Sequence, residues 1–439
     1  MEEKQAQQLL ILGNGFDLHC DLKSSYQDFM THIVNKFSHE DETGSDKDIF
    51  DKFIEKLNSD TIDEKLNLWY LIFLHEQSIT NWFDIENTIS KYIQYSSRDW
   101  TITNSLEQFT KEYIKYMLKS DNNSINHPLH NILIKQLEKY DRNNIEETFL
   151  DLTSDHKNQI IDCDNHLEKF LRKHNSTVFK DRNDIEKNSV HFEIEKIIDD
   201  AANKSCRQLI NSKLHSTLLY ELKNLELDFQ NYLNDLTKGN TQYISSANNT
   251  IKQMLSKNPE YPNFSIFSFN YTTPEIEIDS QNLIDRKNVH GYSNTHSNES
   301  NIIFGVDALN YKTSHGEYRF TKEYRTLELY MKKNHVDLQK NIFSKSIKVI
   351  KFYGHSLSEA DWGYFQYIFD LYKLYDSDIQ LIFFFSTFGD KTEEELFKEQ
   401  LELVTKLIER YGENLDNKAQ GKNLLTRLIQ TNRLVIMKI

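Results

Sequence analysis

A short apolar run, Leu9-Leu10-Ile11-Leu12, ends at Gly13-Asn14-Gly15 and reads as a strand. About ten residues on, Tyr26, Phe29, Met30, Ile33, Val34 and Phe37 recur at the spacing of one helix face. Ser24 with Gln27 reads as a capping box at the start of that helix. The order is therefore strand, glycine turn, polar loop, helix. In an open α/β sheet the turn lies at the carboxyl end of the first strand, where ligands bind. Two glycines let the backbone approach a ligand, and a following helix offers N–H groups and a positive dipole end to a phosphate. The pattern is not GxGxxG, because Phe16-Asp17-Leu18 follow Gly15. A plain strand-to-helix turn is the alternative.

Further short apolar runs follow in the second half of the chain. Ser265 to Phe269 reads as a strand ending at Asn270, and a second short one ends at Val289-His290-Gly291. Asn301 to Phe304 reads as a third, ending at Gly305, and Lys348 to Phe352 as a fourth, ending at Tyr353-Gly354-His355-Ser356. Gln380 to Phe385 is almost wholly apolar, as a strand buried on both faces is. Leu434 to Met437 is the sixth candidate. Helical spacing fills the gaps. Trp362, Phe365, Phe369 and Tyr372 share a face within Asp361 to Tyr375, and a second helix spans Thr392 to Tyr411. Residues 100–255 differ. They are charged and helix-like, as in Phe109 to Met117 and Leu218 to Leu225. Strands alternating with helices imply an α/β fold, a mostly parallel sheet flanked by helices. Residues 1–95 and 260–439 then form the core, and 100–255 a large helical insertion.

Composition narrows the picture without changing it. The 439 residues include only 12 Gly and 4 Pro, too few turn formers for a β-sandwich or barrel. A net charge of −15 disfavours broad nucleic-acid binding, which needs a basic face. Three scattered cysteines without a CxxC pair argue against a zinc ribbon or a disulfide scaffold. No apolar run reaches the roughly 20 residues of a membrane helix, and the polar Met1-Glu2-Glu3-Lys4-Gln5 is no signal peptide. A cytoplasmic location and no membrane partner are the expectations.

Several strands end in polar residues beside glycine or a turn: Asn270, His290, Asp307 and His355. In a parallel sheet these ends share one edge, so the residues converge on the Gly13-to-Gly15 turn. Each also has a purely structural reading. His290 caps a turn, Asn270 forms an Asx turn, Ser358 caps a helix, and Asp17 either binds its own loop or a ligand. Asp84 and Glu86, two apart, do not share a helix face. A carboxylate metal pair is therefore not expected, and Trp82, Ile85 and Ile89 read as core.

The set Gly13 to Leu18 with Ser25, Tyr26 and Phe29, then Trp82 with Asp84-Ile85-Glu86, Phe269 to Thr272, His290-Gly291, Phe304 to Asp307, and Tyr353 to Leu357 with Asp361 resembles the AbiH-type bacteriophage abortive-infection proteins. More distantly, the same order is similar to the sirtuin-like, Rossmann-like NAD-binding fold of bacterial antiphage NAD hydrolases. That resemblance implies an antiphage effector that hydrolyses NAD without a metal, with His290 and Asn270 catalytic. It implies Gly13, Asn14, Gly15, Phe16 and Asp17 around the nucleotide, with Gly305, Asp307, Gly354, His355 and Ser356. A phage-derived trigger and a homo-oligomer are candidate partners, and the position and charge of the helical middle make it the candidate surface for either. Thr272 stands where the hydrolases carry an Asp, and Asn14 where sirtuins carry Ala. A non-catalytic nucleotide sensor or partner-binding protein is therefore the alternative, and a nuclease effector a third.

Overall fold

The computed structural model describes residues 4–38, 67, 69–70, 73, 82–96, 215, 218–277, 281–293, 299–308, 311–313, 316–332, 342–357, 361–389 and 391–439. The chain divides into two compact units. One is Met1–Phe50, Ser78–Ile89 and Leu222–Ile439; the other is Asp51–Gln77 and Ser90–Glu221. Most of the expected insertion, including Phe109 to Met117, lies outside the described residues, as do Ser358 and the Trp82 side chain. In the second unit, Trp69 is fully buried and its indole N–H donates to the Leu218 carbonyl at 2.9 Å.

The first unit is built on six strands: β1 (Gln8–Leu12), β2 (Phe264–Ser268), β3 (Leu283–Asn288), β4 (Val349–Tyr353), β5 (Gln380–Phe385) and β6 (Leu434–Lys438). All five pairings are parallel, in the order β3-β2-β1-β4-β5-β6. This is the doubly wound order of the dinucleotide-binding folds. Leu9 and Ile11 face a core shared with the Trp362–Leu371, Glu393–Asn414 and Lys418–Gln430 helices. Leu10 and Leu12 face the opposite core, with Phe16 and with Tyr243, Ala247, Ile251 and Met254 of the Thr241–Leu255 helix. That helix, which the sequence placed in the helical middle, covers one face of the sheet. Leu9, Leu10 and Ile11 are fully buried, and each contributes about 1.5–3 kcal/mol through burial. The edge strand β3, Leu-Ile-Asp-Arg-Lys-Asn, is half-exposed along its length, and its charges suit an edge.

Lys351 breaks the apolar pattern at the centre of β4. Its side chain is buried and its ammonium donates to the Met254 carbonyl at 2.6 Å. Burial pulls its pKa down to about 7.

Two local expectations are corrected. The cap of the Tyr26–Ser38 helix sits one residue later than Ser24: Ser25 and Asp28 exchange side-chain and backbone hydrogen bonds, and the Ser24 hydroxyl donates to Asn14 Oδ1 at 2.8 Å. Asn301 to Phe304 is buried and extended but joins no strand ladder. Its backbone is satisfied elsewhere, because Phe304 N–H donates to Glu226 Oε1 and Asn301 N–H to Gln230 Oε1, both on the 218–237 helix. Among the described residues, no helix is long and apolar enough to cross a membrane.

Candidate functional site

The glycine turn after β1 is packed against the turn after β4. Gly13 N–H donates to the Tyr353 carbonyl and Gly15 N–H to the Gly354 carbonyl. A Cβ on Gly13 would lie 2.5 Å from His355 Cα, and one on Gly15 2.8 Å from Gly354 Cα. Gly354 has φ +68°, and a Cβ there would lie 2.1 Å from Phe16 N. These glycines therefore admit the close approach of another stretch of the same chain. The expected polar loop is instead a short helix, Asn14–His19. Phe16 lies in the core, edge-on to Tyr353. Gly305 serves packing too, since its Cβ would lie 2.8 Å from the Phe320 carbonyl.

Asp17 binds neither its own loop nor solvent. It is buried, and it accepts hydrogen bonds from Thr272 Oγ1 at 2.6 Å and Tyr243 Oη at 2.8 Å. Burial pushes its pKa up to about 6, against the lowering effect of Thr272, Tyr243 and the Asn270 amide. Asn270 is held by Asn288, whose Nδ2 donates to its backbone carbonyl at 2.7 Å. The Asn270 Oδ1 atom is buried without a hydrogen-bond partner among the described residues. Asp17, Asn270, Thr272, Ser268 and Arg286 help to line a void of about 10 Å³, room for about one water.

A second cluster surrounds Asp361, at the N-terminus of the Trp362–Leu371 helix. His290 Nε2 lies 3.3 Å from Asp361 Oδ1, His355 Nε2 lies 3.3 Å from Oδ2, and Lys322 Nζ lies 3.2 Å from Oδ1. Lys322 also pairs with Glu86 Oε1 at 2.7 Å. Burial acts to raise the Asp361 carboxyl, but Lys322 and the two imidazoles hold it well below the usual carboxylate range. Glu86 is pushed up by burial, partly offset by Lys322. Burial, reinforced by Lys322, lowers the His290 pKa despite Asp361, so the ring is neutral at pH 7.

These contacts assign the tautomers. Leu357 N–H donates to His355 Nδ1 at 2.9 Å, so the His355 proton is on Nε2, facing Asp361. A carboxylate only accepts, so His290 also carries its proton on Nε2. Its Nδ1 is then a bare lone pair, buried without a hydrogen-bond partner among the described residues. Phe269 lies edge-on to both imidazoles, at 5.9 Å from His290 and 4.4 Å from His355. Tyr364 lies edge-on to His290 at 5.6 Å.

The structure thus joins Asn270 to Asp17, and His290 to His355 through Asp361, at the carboxyl edge of the sheet. Asn14 is tied to Ser24, Asp307 is half-buried, and Ser356 is exposed. Ile85 and Ile89 are core, as expected. Lys322, Tyr243 and Arg286 were not anticipated. Lys322 carried one signal: a cation opening a helix opposes the helix dipole and needs an anionic partner. A larger cavity, about 270 Å³, lies against β3 and the Lys322–Lys332 helix.

The family model for bacteriophage abortive infection AbiH matches residues 9–171 and 146–384. Searches of curated proteins and of solved structures find no match. The glycine turn, Asn270, His290, Lys322 and Asp361 all fall within the matched stretches, and the chain belongs to the bacteriophage abortive infection AbiH family, a family of antiphage defence.

Proposed function

We propose that this chain is an abortive-infection effector that hydrolyses the nicotinamide–ribose bond of NAD, with His290 and Asn270 at the reacting carbon. One observation carries the reading. His290 is a neutral buried imidazole whose Nε2–H is engaged by Asp361 and whose Nδ1 has no partner among the described residues. A base fixed by a carboxylate, with its other nitrogen unspent, is the arrangement of an oriented proton acceptor. The Asn270 Oδ1 atom, unpartnered and buried on the neighbouring strand end, suits a water or a ribose hydroxyl.

In the step, a bond forms between water oxygen and the ribose anomeric carbon, and the bond from that carbon to the pyridinium nitrogen breaks. Nicotinamide leaves neutral with the bonding electrons. The water proton passes to His290 Nδ1, help worth about 10²- to 10⁴-fold. Lys322 keeps Asp361 ionised, and Asp361 keeps the imidazole in the productive tautomer. The Gly13-to-Gly15 turn remains the candidate for the phosphate side, with its Cα side packed against Gly354 and His355. Thr272, where the hydrolases carry an Asp, favours the second reading, a nucleotide sensor without turnover.

The test is NAD level over time with purified protein, with and without infected-cell lysate. Loss with wild type, absent in His290→Ala and Asn270→Ala, is expected. Equal loss in both variants removes the assignment of residues. No loss even with lysate removes the hydrolase reading and leaves the sensor.

A further inference from the structure

The packed glycine turn raises the question of where this sheet holds an anionic ligand. We propose that the cavity against the outer edge of β3 is a pocket for one phosphate-bearing nucleoside, with Lys287 meeting the phosphate and Tyr292 and Tyr330 the base. The proposal deepens the reading above by seating one half of the dinucleotide, and it rests on that reading only for the identity of the ligand.

Size comes first. At about 270 Å³ the cavity lies just below the roughly 300 Å³ lower end of small-molecule pockets, which suits a mononucleotide half and not a whole dinucleotide. Charge comes second. Among the described residues, Arg286 and Lys287 border the cavity and no carboxylate residue does, in a chain of net charge −15. Successive strand residues point to opposite faces, so Arg286 turns to the Asp17 void and Lys287 to this cavity. Lys287 is pre-positioned, with its Nζ 5.5 Å from the Tyr330 ring centre, while the Arg286 guanidinium is engaged with the Pro274 carbonyl. Third, Thr326 Oγ1 is buried on the cavity wall without a hydrogen-bond partner among the described residues, so a polar group is available there for a ligand. Finally, Val289 and Gly291 line the cavity on either side of His290 in sequence, which brings a bound ligand to the imidazole's own loop.

The experiment is calorimetric titration of the full chain with 5′-AMP and with adenosine, at low and high salt, for wild type, Lys287→Gln and Thr326→Val. Neither probe has a nicotinamide–ribose bond, so the result does not depend on turnover. The expected result is 5′-AMP binding at least tenfold tighter than adenosine, weakening with salt. Lys287→Gln then loses most of that preference at an unchanged thermal midpoint, and Thr326→Val binds 5′-AMP several-fold more weakly. Equal affinity for the two probes, no binding of 5′-AMP at millimolar concentration, or a preference that survives in Lys287→Gln overturns the pocket. Stable NAD with 5′-AMP binding retained would remove the reaction and keep the pocket; the reverse would remove the pocket and keep the reaction.

Discussion

Asp361→Asn separates the contribution of the buried cluster to stability from its contribution to chemistry. The carboxylate faces Lys322 at 3.2 Å and both imidazoles at 3.3 Å. Removing one partner of a buried ion pair costs about 3–5 kcal/mol when the other charge is stranded. Lys322 is not stranded here, because Glu86 remains 2.7 Å away. The expected loss is therefore lower, about 2–3 kcal/mol in urea unfolding. The amide that replaces the carboxylate also presents an N–H₂ group to two imidazole N–H donors, so one ring must change tautomer. His355 is held by the Leu357 N–H on its Nδ1. His290 has no such restraint on Nδ1, so its proton moves there and the lone pair is lost. NAD hydrolysis should then fall about 10²- to 10⁴-fold, while nitrogen NMR of the histidines shows His290 switched and His355 unchanged. An unswitched His290, or a rate within about twofold of wild type, would refute the reasoning.

Other outcomes follow from single residues. Asp17 has a folded pKa of about 6 against 3.8 unfolded, so the native state binds more protons between those values and the wild type loses stability as pH rises from about 4 to 6. Asp17→Asn should flatten that slope, worth up to about 3 kcal/mol at 1.4 per pH unit, in unfolding curves compared at pH 4.5 and 7. Lys351 is the reverse case. Its folded pKa is depressed to about 7, so stability rises with pH from about 7 to 10. Lys351→Met should remove that rise and should be the more stable protein at pH 6.5, read by thermal melting. Gly354→Ala places a Cβ 2.1 Å from Phe16 N at φ +68°, and should cost more than about 3 kcal/mol or abolish soluble expression. Gly363→Ala, where nothing lies within 4 Å, serves as the neutral control.

The sheet was legible because strands buried on both faces leave near-continuous apolar runs. Gln380 to Phe385 was recovered to the residue, and β1, β2, β4 and β6 to within one. Asn301 to Phe304 has the same composition but not the same partners, since side chains of a helix accept from two of its four amides. Apolarity reports burial, not what the backbone bonds to. Gly13 and Gly15 were legible as positions of close approach, but a glycine does not say whether a ligand or another stretch of chain approaches it. His290 and Asn270 stood out by their places at strand ends. Lys322 did not, because a lysine in an amphipathic helix looks solvated until the fold sets two carboxylates around it.

The position of β1 at the middle of the sheet has a consequence for synthesis. Its neighbours are β2 and β4, and Gln8 pairs with Phe264 and Val349. A ribosome adding roughly 5–20 residues per second makes β2 only tens of seconds after β1, and β4 later still. The nascent amino-terminal strand therefore waits with its ladder unpaired, and so high a contact order makes assembly of the sheet a late event. The Asp361 cluster draws on residues from Glu86 to Asp361, so it forms only on a nearly finished chain. Truncated translation products of this defence protein would thus lack its catalytic candidates in working order, a safeguard that comes from topology alone.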